Sequence, residues 1–98
     1  MAAGEGAGDL KIARCLAAAV DGDSHACFDL GLAFSTGSNG VSCDLTEAHK
    51  WFNLAAVAGH EGAQRCRADI AEEMTAREIA EAQRRAREWL AMTQRRVA

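Results

Sequence analysis

Apolar residues recur along this chain at helical spacing, and the runs are broken by aspartate, serine and glycine. Leu10, Ala13, Leu16, Ala17 and Val20 fall along one side of a helix that Asp9 can cap and Asp21-Gly22 can end. Ser24 is a suitable cap for a second helix carrying Ala26, Leu30, Ala33 and Phe34 on one stripe, and this helix must end by Gly37. Between Thr36 and Cys43, the residues Gly37, Ser38, Asn39 and Gly40 tolerate positive φ and let the chain reverse. Asp44 or Thr46 then starts a third helix, with Glu47 near its positive end and Leu45, Ala48, Trp51, Phe52, Ala55 and Ala56 turned inward. Gly59 closes it.

A fourth helix is expected from about Glu61 to Met74. Thr75 followed by Glu78 is a capping box, so a fifth helix starts there, with Ile79, Ala82, Ala86, Trp89, Leu90 and Thr93 down one side. The chain thus divides into a flexible start over residues 1–8, where Gly and Ala offer no periodic face, a helical region over 9–74 and a terminal capping helix over 75–98. All of these elements are helical. An all-α fold of about five helices follows.

The helices also repeat. Gly59 follows Gly22 by 37 residues, Ala63 follows Ala26 by the same interval, and Ala-Ala-Val-Asp-Gly before the first break parallels Ala-Ala-Val-Ala-Gly before the second. A period of this length marks arrays of helix pairs. Carrying the register forward places Arg67, Ala68 and Ala71 where Leu30, Gly31 and Phe34 stand. The second unit has therefore decayed or serves as a cap.

One unit is complete. It comprises Ala26, Leu30, Gly31 and Phe34, then Gly37, Gly40, Val41 and Asp44, then Ala48, Trp51, Ala55, Ala56, Gly59 and Ala63. In that order these residues resemble the Sel-one-like repeat, a relative of the tetratricopeptide repeat. The resemblance implies an α-α superhelix of antiparallel helix pairs and a non-catalytic role in scaffolding protein complexes, without a cofactor. The small residues Ala26, Gly31, Ala48 and Ala55 let paired helices approach, while Phe34, Trp51 and Phe52 fill the wider gaps.

In such a superhelix the first helix of each pair lines the concave surface, as the resemblance implies. The stripe left over on that helix is His25, Phe28, Leu32 and Ser35, and the 37-residue register adds Gly62, Arg65, Asp69 and Glu72 on its neighbour. An apolar strip beside mixed charges suits a peptide or a helix of another protein. The competing reading places Phe28 in the core and leaves His25 merely solvated.

Composition supports helices: the chain has no proline, two tryptophans and three phenylalanines in 98 residues. Neither a basic, apolar leader nor a run approaching the ~20 apolar residues of a membrane span is present, so a cytoplasmic protein is expected. The net charge of −3 hides an asymmetry. Residues 1–74 hold 5 Lys/Arg against 11 Asp/Glu, whereas residues 75–98 hold 6 Arg against 3 Glu.

That basic end, with Arg84, Arg85, Arg87, Arg95 and Arg96 near Trp89, raises nucleic-acid binding as an alternative. Glu81, four residues before Arg85, and Glu88, one after Arg87, make an exposed salt-bridged helix the better reading. Self-association through Trp89, Leu90 and Met92 is a further alternative, because one complete repeat leaves open ends. Cys15, Cys27, Cys43 and Cys66 lack CxxC spacing and read as four reduced, buried packing residues. The sets His25 with Cys27, or His49 and His60 with Cys43 or Cys66, lack the short paired spacing of structural zinc sites, so no metal is expected. Ser24 beside His25 is a sequence neighbour pair and no sign of a catalytic couple. No catalytic residue is assigned.

Overall fold

A computed structural model describes residues 3–94, with side-chain environments from residue 8 onward. The described residues form five helices and no strand: α1 (Ala3–Val20), α2 (Ser24–Thr36), α3 (Leu45–Val57), α4 (Ala63–Ala71) and α5 (Ala76–Gln94). The protein is all-α. Arg95, Arg96 and Val97 lie outside the described residues.

The first helix departs most from expectation. It begins at Ala3, so the supposed flexible start is helical from there, and Asp9 sits inside the helix instead of capping it. The expected inner face is also wrong: Leu10, Ala13, Leu16 and Ala17 are exposed, while Ala19 is buried and Ile12 and Cys15 pack against the core. α1 is apolar around most of its circumference, so periodicity alone could not choose a side. Its antiparallel run along α2 makes the choice, because Gly8 lies so close to Asn39 that a β-carbon there would come within 2.9 Å of the backbone.

Asp23, not Ser24, caps α2. Its carboxylate accepts from the backbone N–H groups of His25 at 2.9 Å and Ala26 at 3.1 Å, leaving Ser24 as the first helical residue. Asp44 caps α3 in the same way, accepting from Glu47 N–H at 3.1 Å. Between them α2 ends at Gly37, and Asp44 N–H donates to Phe34 C=O at 2.8 Å, closing the α2–α3 hairpin.

The helices pack as α1 on α2, α2 on α3, and both α4 and α5 on α3. α3 is thus the hub. Its face toward α2 carries Ala48, Phe52 and Ala55, and the Phe52 ring occupies the space above Gly31. Toward α5 it turns Trp51, whose ring meets that of Trp89 edge-on at 4.8 Å between centroids. Leu30, Trp51 and Phe52 are the largest fully buried side chains, so the core lies between α2, α3 and α5.

The 37-residue register is visible in hydrogen bonds. At Gly22 (φ +86°) the amide donates to Ala19 C=O and Asp23 N–H to Ala18 C=O; at Gly59 (φ +103°) the amide donates to Ala56 C=O and His60 N–H to Ala55 C=O. Both are Schellman closures, which need the left-handed residue that glycine supplies. One helix later, Ala26 and Ala63 are both buried.

After Ala63 the correspondence fades. α4 is shorter than the expected Glu61–Met74 span, has no side-chain cap at Gly62 and buries only Ala63. Arg67, standing where α2 has Leu30, is half-buried and hydrogen-bonds Asn53 Oδ1. α5 starts at the expected capping box, with Glu78 Oε1 accepting from Thr75 N–H at 2.8 Å and Thr75 Oγ1 from Glu78 N–H at 3.1 Å. Its inner side is Ala82 and Ala86, with Trp89 and Leu90 packed against the core. α5 lies along α3, while α4 makes its main contact with α3 too, so α4 and α5 do not form a second tight hairpin.

Candidate interaction site

The Asp23 cap fixes where α2 starts, and so which residues its outward stripe presents. His25 is exposed, Phe28 and Ser35 are half-buried, and Leu32 keeps 40% of its surface exposed. Ser35 Oγ is turned back to donate to Leu32 C=O at 3.0 Å. The Phe28 ring turns partly inward. It packs against the core, with its ring 5.6 Å from Phe52, and it also stacks on His60 at 4.1 Å and 11° between planes.

Sequence reasoning missed His60 as a site residue. Its Nδ1 accepts from Gly62 N–H at 3.2 Å, two residues on, just as Asp23 accepts from His25 N–H. His60 lies 37 residues after Asp23, and Gly62 lies 37 after His25. The 37-residue spacing therefore held the signal: His60 stands where Asp23 stands before α2, although α4 itself starts at Ala63 without a side-chain cap. Its ring bridges to α2, meeting His25 at 5.6 Å between centroids.

Of the residues expected on the neighbouring helix, Arg65 and Asp69 are on α4 and exposed, and Glu72 is exposed at its C-terminal end. α2 and α4 are not a main packing pair; the turn before α4 meets α2 through the His60–Phe28 stack. The two described surface clefts lie elsewhere. One, of about 190 Å³, is lined by Lys50, Arg85, Glu88, Trp89 and Met92; the other, of about 230 Å³, by Val20, Asp21, Gly22, Leu90, Thr93 and Gln94.

Two arginines of α5, Arg84 and Arg85, are engaged. Arg85 reaches across to Glu47 on α3 at 2.7 Å and along its own helix to Glu81 at 2.8 Å, while Arg84 pairs with Glu81 and with Glu88. Glu88 thus serves Arg84, one turn before it, and not Arg87. Hydrogen bonds from Arg84 and Arg85 hold the Glu81 carboxyl down at about 2. Lys50 completes the cluster, pairing with Glu47 at 3.3 Å and lying over the rings of Trp51 and Trp89 at 4.4 and 5.4 Å. Within this cluster three basic and three acidic side chains balance, while Arg87 stays exposed.

The cysteines are less uniform than expected. Cys27 is buried, Cys15 and Cys66 are half-buried, and Cys43 is exposed, so only one of the four is a fully buried packing residue. Burial, and then Asp23, pushes the Cys27 thiol up to about 11. Among the described residues no three histidine, cysteine or carboxylate side chains converge as a metal site would need. His49 is 4% exposed with no hydrogen-bond partner for Nδ1, and burial followed by the nearby Arg67 lowers its pKa.

These features define the class: an all-α protein of five helices built on a central one, with the exposed stripe of α2 as its candidate interaction face. Compared with protein-family models, with curated proteins and with solved structures, the chain matches none of them. No helix among the described residues is long and apolar enough to cross a membrane.

Proposed function

We propose that the protein is a non-catalytic interaction module, a short α-α superhelix of the Sel-one-like kind, that holds a peptide or helix of a partner protein along α2. The observation carrying this reading is Leu32. It is a large apolar side chain, 40% exposed, beside a stacked aromatic pair and in line with His25 and Ser35, on a helix whose opposite side is already committed to α1 and α3. Arg65, Asp69 and Glu72 supply polar contacts at the rim, in keeping with an apolar strip flanked by charge. The register shared by Asp23 and His60 supports the repeat reading, and a cytoplasmic setting accords with it. Converting Phe28 and Leu32 to serine and aspartate abolishes binding of a captured, crosslinked partner while far-ultraviolet circular dichroism stays unchanged. Retained binding, or loss of helicity, overturns the assignment.

A second reading, self-assembly through α5, is favoured by a separate observation: Met92 is 55% exposed and lines a surface cleft with Trp89. Light scattering over a dilution series separates the two, since only assembly makes the mass depend on concentration.

A further inference from the structure

α1 is committed on one side only. Ile12 and Cys15 pack against the core, Ala19 is buried, and α2 is the helix that α1 mainly contacts. On the opposite side Leu10 keeps 52% of its surface exposed, Ala13 and Ala17 are exposed, and Val20 lines the cleft shared with Leu90, Thr93 and Gln94 of α5. Leu10, Ala13, Ala17 and Val20 follow one another at spacings of three, four and three, so they form one apolar seam turned away from α2.

The 37-residue register shows what such a side receives. Leu10, Ala13 and Ala17 precede Glu47, Lys50 and Leu54 of α3 by 37 residues each. On α3 that side is covered by a helix: Glu47 pairs with Arg85 of α5, Lys50 lies over the Trp89 ring, and Leu54 is buried. On α1 the charged pair gives way to leucine and alanine, and the side is open.

We propose that the open side of α1 pairs with α1 of a second copy of this chain, the two helices running parallel about a two-fold axis. The seam has the alternating three-four spacing by which two helices close on each other, and its alanines let the backbones approach. The flanking charges set the direction. Asp9 immediately precedes Leu10 and Arg14 immediately follows Ala13, so they border the seam on its two opposite edges. Both are exposed, Asp9 beside Gly40, and neither is in an ion pair among the described residues. In a parallel pair, opposite edges of the two helices meet, with each edge residue facing the one five further along its partner. Asp9 of each copy thus meets Arg14 of the other, and the two-fold axis makes the exchange twice. An antiparallel pair joins like edges and loses it. This surface is separate from the outward stripe of α2 and from the Trp89–Met92 cleft, so neither functional reading depends on it.

The test is sedimentation equilibrium of the whole protein from about 1 µM to about 1 mM, the range in which a contact smaller than a standard interface associates. A reversible dimer is expected. Leu10→Asp sets two carboxylates into the seam and should raise the dissociation constant by about tenfold or more. Ala17→Glu, on the same seam, is the second disruption should Leu10→Asp lose helicity by circular dichroism. Arg14→Asp should also weaken the dimer, and the exchanged double variant, Asp9→Arg with Arg14→Asp, should restore it. Met92→Asp, on α5, should leave it intact. A protein that stays monomeric at every concentration overturns the proposal. So does a dimer indifferent to the seam substitutions, one lost in Met92→Asp, or a double exchange that associates no better than Arg14→Asp alone.

Discussion

A β-carbon on Gly31 would lie 2.5 Å from both Cδ1 and Cε1 of Phe52, so the phenyl ring occupies the space that any side chain at 31 would need. Gly31 is buried within α2 and Phe52 within α3, so this contact is a point of close approach in the α2–α3 hairpin. Gly31→Ala therefore forces the ring or the helix aside. The expected loss is about 1–3 kcal/mol, despite alanine's better helix propensity, and Phe52→Leu in the same chain should recover part of it. Urea midpoints of the two single variants and the double variant check this; a stabilising Gly31→Ala would show that the two helices stand further apart.

The cap of α2 gives a paired prediction. Asp23→Ala removes the acceptor for two backbone amides and should cost about 0.5–2 kcal/mol, whereas Ser24→Ala, at the first helical position, should change little. Thermal melts of both variants distinguish the observed cap from the residue that the sequence pattern favoured.

Much of the fold was legible because its signals are local. Asp44, Gly37 and the Thr75–Glu78 box each act within a few residues of themselves, and each stands where its helix starts or stops. The orientation of α1 was not legible, since alanines and leucines on several sides let either face pack. The Glu47–Arg85 bridge joins residues 38 apart and leaves no periodic trace. On the candidate face, Leu32 and His25 were placed outward by spacing alone, but the Phe28–His60 stack was hidden because His60 lies in a turn, where periodicity has nothing to say. Only the 37-residue correspondence with Asp23 could have pointed to it.

Acid should weaken the ion-pair cluster along α5 through Glu81. Its carboxyl titrates at about 2 in the folded protein, below the ordinary 4.5, because Arg84 and then Arg85 hydrogen-bond the charged form. A depressed pKa contributes stability that is present above the unfolded value and is lost as pH falls through the folded one. Glu81→Gln should lower the urea midpoint at pH 5.5, and the gap to the unaltered protein should shrink as pH falls below 4.5 and close only below the folded value of about 2. A gap that persists below that value would assign the effect to packing.

Thiol labelling should rank the cysteines by environment. Cys43 is exposed, whereas Cys27 is buried with its thiol pushed up to about 11, so at neutral pH almost none of it is the reactive thiolate. Mass spectrometry after brief alkylation should find Cys43 modified first and Cys27 modified only on unfolding. Early labelling of Cys27 would mean that the α2 core opens readily.

The claim that the outward stripe of α2 is the working surface is tested most directly by panning a displayed random-peptide library against the protein and against Leu32→Asp in parallel, with Arg87→Ala as a control on α5. The account predicts peptides that bind the unaltered protein and the Arg87→Ala control alike and fail on Leu32→Asp, whose fold is verified by circular dichroism. Peptides that hold Leu32→Asp as tightly as the unaltered protein would contradict it.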